Sequence, residues 1–299
     1  MIFSHILIGA VLASSTLALP QGPNTVAINN LNLRTQAPNG TWFIVPIDAA
    51  AVQKSIPYPL LPVPTQDASL FPRGFPQGKH PVLVSNFYTG DIRLSALQID
   101  SLMSGSVYVP YVDRLKDGKT PFQYSTSAII GGTDGKTLMG AVPALVSTLL
   151  GGNVLLEGQF VPDTAPYSEI SPGQYSAQGK LSIVPNPLSG PGVIESIYDL
   201  DFTTAETPQY TEHTFHSIIN QPVILNNGMC LRNTIYFNET FANPALRTGK
   251  VTLYSPPLPP GFGGVYQKAG GSSAQGENVG YNAEGCVSAA RNVDPAALR

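Results

Sequence analysis

The chain has 299 residues, only 12% of them charged, and a net charge of −3. That balance supplies no basic surface to neutralise phosphates, which excludes nucleic acid and anionic membrane as partners. Its 29 glycines and 28 prolines punctuate the sequence at short intervals, a spacing that favours strands and turns over long helices.

The segment Ile6–Ala13 is an apolar run followed by small residues in Thr16-Leu17-Ala18, the pattern of a cleavable export signal over residues 1–18. The run is well short of the roughly 20 residues that cross a bilayer, and no later segment is long and apolar enough, so no membrane anchor is expected. Cleavage after Ala18 predicts a secreted, extracellular protein whose residues 19–299 form one domain. β-branched and aromatic residues, mostly in alternation, predict strands over Thr41–Ile47, Pro81–Tyr88, Ile92–Asp100, Ser106–Val112, Phe122–Ile130 and Asn153–Val161. The same pattern continues over Gln174–Val184, Val193–Thr203, Thr211–Ile219, Asn233–Asn238 and Lys250–Tyr254. Helical signals are few: Asp48–Lys54 opens on an N-cap aspartate, Thr137–Leu150 carries leucines and valines at helical spacing, and Ala283–Arg291 closes the chain. Residues 256–280, rich in Pro, Gly and Ser, read as a long surface loop. Many short strands with two or three helices define a mainly β (α+β) fold, a barrel or a sandwich.

Cys230 and Cys286 are the only cysteines, and an oxidising compartment would join them. Closing a loop of that span stabilises by about 4 kcal/mol in the chain-entropy account. Asn39-Gly-Thr41 and Asn238-Glu-Thr240 are glycan acceptor sequons. His213 and His216 stand three apart; a helix would put both imidazoles on one face, but the flanking Thr, Phe and Ile favour a strand, where they point apart, so no metal site is expected. Glu195, Asp199 and Asp201 alternate on one face of their strand, either as a solvated surface or as a general acid–base wall. No GxSxG elbow, GxGxxG or phosphate-binding loop is present, and no cofactor is implied. Among the lysines, Lys180 alone lies in a strand pattern that can point it into a barrel, where desolvation would prepare it to attack a carbonyl.

The runs His80–Tyr88, Val107–Asp113, Gly179–Pro185, Thr214–Pro222 and Asn238–Pro244 resemble secreted proteins of filamentous fungi related to the acetoacetate decarboxylase superfamily. Likeness to the decarboxylases themselves is confined to the order of elements. The resemblance implies a closed antiparallel β-barrel with flanking helices and a central cavity, in which the enzymes use a Schiff-base lysine in a Gly-x-Pro-Lys-Lys context. The corresponding stretch here, Ala141–Ser147, has no lysine, so that residue does not carry over. Two functions follow: a barrel that binds a small organic ligand, such as a keto acid or polyketide-type metabolite, in secondary metabolism, or a lyase or isomerase-type enzyme using Lys180, His216 and Glu195.

Overall fold

The computed structural model describes residues 21–135, 156–183 and 192–299. The export signal, the helix expected over Thr137–Leu150 and the lysine-free stretch Ala141–Ser147 lie outside the described residues.

Nine strands close into a barrel: β1 (Arg34–Asp48), β2 (Lys79–Leu94), β3 (Leu97–Val112), β4 (Phe122–Gly131), β5 (Leu156–Val161), β7 (Gln174–Ile183), β8 (Val193–Thr204), β12 (Ala245–Leu253) and β13 (Gly264–Gln275), which returns to β1. Every pairing in the ring is antiparallel except β4 with β5, a short parallel contact at Ile129–Leu156 and Ile130–Glu157. Five short strands lie off the ring: β6 (Ser168–Ser171), β9 (Val223–Ile224), β10 (Cys230–Leu231), β11 (Asn233–Tyr236) and β14 (Glu277–Gly280). Three α-helices flank it among the described residues: α1 (Ala49–Ser55), α2 (Glu212–Ile219) and α3 (Cys286–Arg291). The mainly β closed barrel read from the sequence is the fold observed.

Alternation along the strands divides the apolar residues into two cores. Inside the barrel pack Phe43, Val84, Met103, Phe160, Leu200 and Phe202, with Tyr198 at 0% exposure among them. Gly105 and Gly179 face that tyrosine: a Cβ on Gly105 would lie 2.0 Å from its Oη, and one on Gly179 2.3 Å from its Cζ. The Tyr198 hydroxyl donates to Asn86 Oδ1 at 2.7 Å, and the Asn86 amide donates to the Pro166 carbonyl at 2.7 Å, so the polar groups of this pair are satisfied. The second core lies on the outer face of β1 to β3, where Trp42, Ile44 and Leu83 are covered by Phe215 and Ile218 of α2 and by Phe71 and Tyr210.

Four expectations are corrected. Residues 256–280 are not a surface loop: they contain β13 and β14, and Ala269–Gly280 is buried throughout. The small residues there serve packing, since a Cβ on Gly270 would meet Tyr210 at 2.6 Å and one on Gly271 would meet Phe43 at 2.5 Å. The stretch Thr211–Ile219 is helical rather than a strand. Thr211 caps α2 by accepting from the Thr214 amide while Thr214 bonds back to the Thr211 amide, a reciprocal box that outweighs the β propensity of Thr, Phe and Ile once Phe215 and Ile218 are buried. The strand expected over Ile92–Asp100 is broken by a two-residue hairpin turn, with Ser95 at φ 52°, in a position where Ser-Ala gives no turn signal. Finally, β8 carries a bulge. Gly179 pairs with Tyr198 but Lys180 pairs with Ser196, so Ile197 is the extra residue and the alternation reverses there.

The Cys230–Cys286 disulfide joins β10 to the first residue of α3, with the Cα atoms 4.9 Å apart. No helix among the described residues is long and apolar enough to cross a membrane.

Candidate functional site

The residues singled out in the sequence do not converge. Lys180 lies on the outer face of β7, between Gln159 and Ser196, while its neighbours Ala177 and Leu181 pack into the barrel. Because of the bulge, Glu195 pairs with barrel-side Leu181 and is separated from Asp199 and Asp201, which stay outside. Those two carboxylates are engaged there: Asp199 accepts from the Tyr254 hydroxyl, and Asp201 pairs with Lys250 at 2.8 Å. The three acids therefore do not form one wall.

His213 and His216 share a face of α2, which overturns the strand argument that set them apart. Each ring is held by the main chain near Arg299: His213 Nδ1 bonds the Leu298 carbonyl at 2.6 Å, and His216 Nδ1 the Arg299 carbonyl at 2.7 Å. His216 stacks on Phe237 with ring centroids 4.6 Å apart, and burial lowers its pKa, an effect the Arg299 bond opposes and His213 reinforces. His80 is enclosed in the barrel wall with Nε2 bonded to the Pro110 carbonyl at 2.7 Å; desolvation lowers its pKa to about 4. Of the two sequons, Asn39 is half-buried in the middle of β1, paired on both sides and followed by the fully buried Thr41, whereas Asn238 is exposed after β11.

A site the sequence did not disclose lies on the outer face of the barrel. The sheet continues past the rim as β1 pairs with β14 and β14 with β11, and together with the end of α2 these strands cover the outer face of β2 to β4. Between cover and sheet lies a partly open cavity of about 190 Å³, walled by Trp42 and Phe87 on the apolar side and by Ser85, Ser106, Tyr108 and Asn278 on the polar side. Ser85 and Ser106 bond each other at 2.6 Å. The Gln123 amide donates to the Ile218 carbonyl at 2.6 Å and fastens the cover to β4.

The one charged side chain among the described residues of this wall is Arg34. It lies in a row across three strands, Arg34 opposite Gly280 and Gly280 opposite Asn233. Gly280 is what lets the guanidinium cross: a Cβ there would stand 2.7 Å from Nη2 and 2.8 Å from Nε. Nη2 donates to Asn233 Oδ1 at 2.5 Å, while Nε is enclosed with no hydrogen-bond partner among the described residues. Burial lowers the Arg34 pKa, which the nearby Tyr108 opposes, and burial raises that of Tyr108, which therefore stays a neutral phenol. No carboxylate pairs with Arg34 among the described residues, and the remaining residues include no Asp or Glu. A desolvated cation without a counter-ion is costly, and an incoming anion recovers that cost. Arg34 opens β1 directly after the turn residues Asn30-Leu-Asn-Leu33, where a lone charge reads as solvated; its burial comes from β11 and β14, some 200 residues further along.

The molecule thus defines a closed β-barrel with a partly covered cavity, polar on one side and apolar on the other, on its outer wall. Solved structures similar to it include acetoacetate decarboxylase (11% identity, 84% of this chain and 88% of that one, TM-score 0.49), the enduracididine biosynthesis enzyme MppR with HEPES buffer bound (8%, 84% and 87%, 0.46) and an acetoacetate decarboxylase-like enzyme from Sphingomonas wittichii RW1 (9%, 85% and 92%, 0.45). No family model matches the chain, and no curated protein does.

Proposed function

We propose that the protein is a secreted binder of a small organic acid, which it holds in the outer cavity with its carboxylate on Arg34. The observation that carries this reading is the enclosed Nε of the half-buried Arg34, without an acidic partner, beside a cavity with both polar and apolar walls. Charge-assisted bonds from arginine to a carboxylate are the strong ones. A volume of about 190 Å³ suits an acid of keto-acid size. The described wall contains no Lys, His, Asp or Glu, and Tyr108 is held protonated, so its chemistry favours holding an acid over moving a proton. Export is supported by the N-terminal apolar run and the disulfide. In that compartment Asn238 is the sequon open to a glycan, as its exposure supports.

Calorimetric titration of the purified chain with pyruvate and with its methyl ester tests the reading. The acid should bind and the neutral ester should not. Arg34→Met, of similar length without charge, should weaken acid binding by about tenfold to a hundredfold, the range of a charge-assisted bond. Equal affinity for acid and ester, or unchanged binding by R34M, would remove Arg34 from the site.

A further inference from the structure

We infer that the acid bound at Arg34 also carries a hydroxyl group, so that the ligand class is the small hydroxy acids rather than the keto acids. This rests on the carboxylate reading of Arg34 and adds a second, independent observation. Asn278, 1% exposed on β14, lines the same cavity. Its Nδ2 donates to the Thr234 carbonyl at 3.0 Å, which fixes the orientation of the amide, and its Oδ1 is enclosed with no hydrogen-bond partner among the described residues.

The register brings the two orphan groups to one face. Arg34 pairs with Gly280 and Gln36 with Asn278, so Arg34 and Asn278 are diagonal neighbours across β1 and β14. Long side chains at such positions reach a common small molecule. Their needs are opposite: the guanidinium Nε–H requires an acceptor and the amide Oδ1 requires a donor. A keto acid, ionised at neutral pH, offers acceptors alone and leaves Oδ1 unpaired. A hydroxy acid places its carboxylate on Arg34 and donates its hydroxyl to Asn278. Sites built to pair a substrate hydroxyl discriminate against analogues lacking it, because the buried acceptor is left without a bond.

The test compares three acids of nearly equal size on the full chain: lactate, pyruvate and 2-methoxypropanoate, which keeps the ether oxygen but has no hydroxyl donor. Lactate should bind about tenfold more tightly than either of the others, the worth of one buried hydrogen bond. Asn278→Ala should bring lactate to within about twofold of pyruvate, with the variant's urea unfolding transition as the control that the chain is folded. Should that variant fail to fold, the ratio of lactate to 2-methoxypropanoate on the unaltered chain decides the matter. Equal binding of all three acids, each weakened by Arg34→Met, would overturn the hydroxy-acid class and leave the carboxylate site standing. Binding of none of them would overturn both.

Discussion

The two faces of the sheet formed by β1 to β4 are built from the same strands and differ in what they leave unsatisfied. Inside, Tyr198 fills the space above Gly105 and Gly179, and its hydroxyl and the Asn86 amide are both bonded. Outside, Arg34 Nε and Asn278 Oδ1 are enclosed beside the cavity with no hydrogen-bond partner among the described residues. A packed interior with satisfied polar groups is what stability selects; orphaned buried polar atoms cost stability and are tolerated where they meet something else. On the proposed reading, the difference gives the interior around Tyr198 the task of holding the barrel closed and the outer cavity that of recognition.

The strongest way to break that division is to empty the interior. Tyr198→Ala should destabilise by about 3–5 kcal/mol, as large-to-small changes of buried aromatics do. It should leave affinity for pyruvate intact in the folded fraction. Gly105→Ala forces a Cβ to 2.0 Å from Tyr198 Oη, and overpacking of this kind costs about 1–3 kcal/mol. Because the clash is with the hydroxyl oxygen, Tyr198→Phe should recover part of the loss. Urea unfolding of the two single variants and the double variant measures the coupling; strict additivity would mean that Tyr198 does not fill the barrel as described.

A pH titration probes the barrel wall at His80. Its folded pKa of about 4 lies below the ordinary value of 6.5, so the unfolded chain takes up a proton first as pH falls. The resulting stability is complete above pH 6.5 and lost progressively down to pH 4, a total of about 3 kcal/mol from a difference of roughly 2.5 pKa units. His216, also lowered, acts in the same direction. His80→Gln, which keeps a donor for the Pro110 carbonyl, should flatten the slope of unfolding free energy between those limits. An unchanged slope would place the titrating group elsewhere.

Much of this architecture was legible in the sequence, and the failures have local causes. Strands such as Pro81–Tyr88 and Phe122–Ile130 were readable because alternation and propensity agree there. The Asp48 cap of α1 was readable because its side chain accepts from the Ala50 and Ala51 amides within the same turn. Residues 264–280 were missed because Gly and Ser are poor strand formers whose use here is to admit Phe43 and Tyr210, partners far away in the chain. One inserted residue at Ile197 was enough to dissolve the carboxylate face, since bulges leave no mark in periodicity. The outer cavity escaped for a related reason: Arg34 and Asn278 meet only through the β1–β14 pairing, and a single arginine at a strand start carries no pattern.

The smallest expected effect on the fold, and the one that isolates the outer face, belongs to Gly280→Ala. Its backbone angle is not among those that demand glycine, so the substitution carries no conformational penalty, and reduced freedom of the unfolded chain adds about 0.4–1 kcal/mol of stability. Against this stands the new Cβ, which would sit 2.7 Å from Arg34 Nη2 and 3.0 Å from Cζ. These atoms are the far end of a flexible side chain, so the clash is relieved by turning the guanidinium away from Asn233 rather than by moving the strands. Stability in urea should therefore stay within about 1 kcal/mol of the unaltered protein. The guanidinium, however, leaves the row that aims it into the cavity, and acid affinity should fall by about tenfold, the worth of one charge-assisted bond. A variant that keeps both stability and affinity would show that the position of Arg34 across Gly280 is not what selects the carboxylate. A variant that loses stability by several kcal/mol would show that the outer face, like the interior, is there to hold the barrel together.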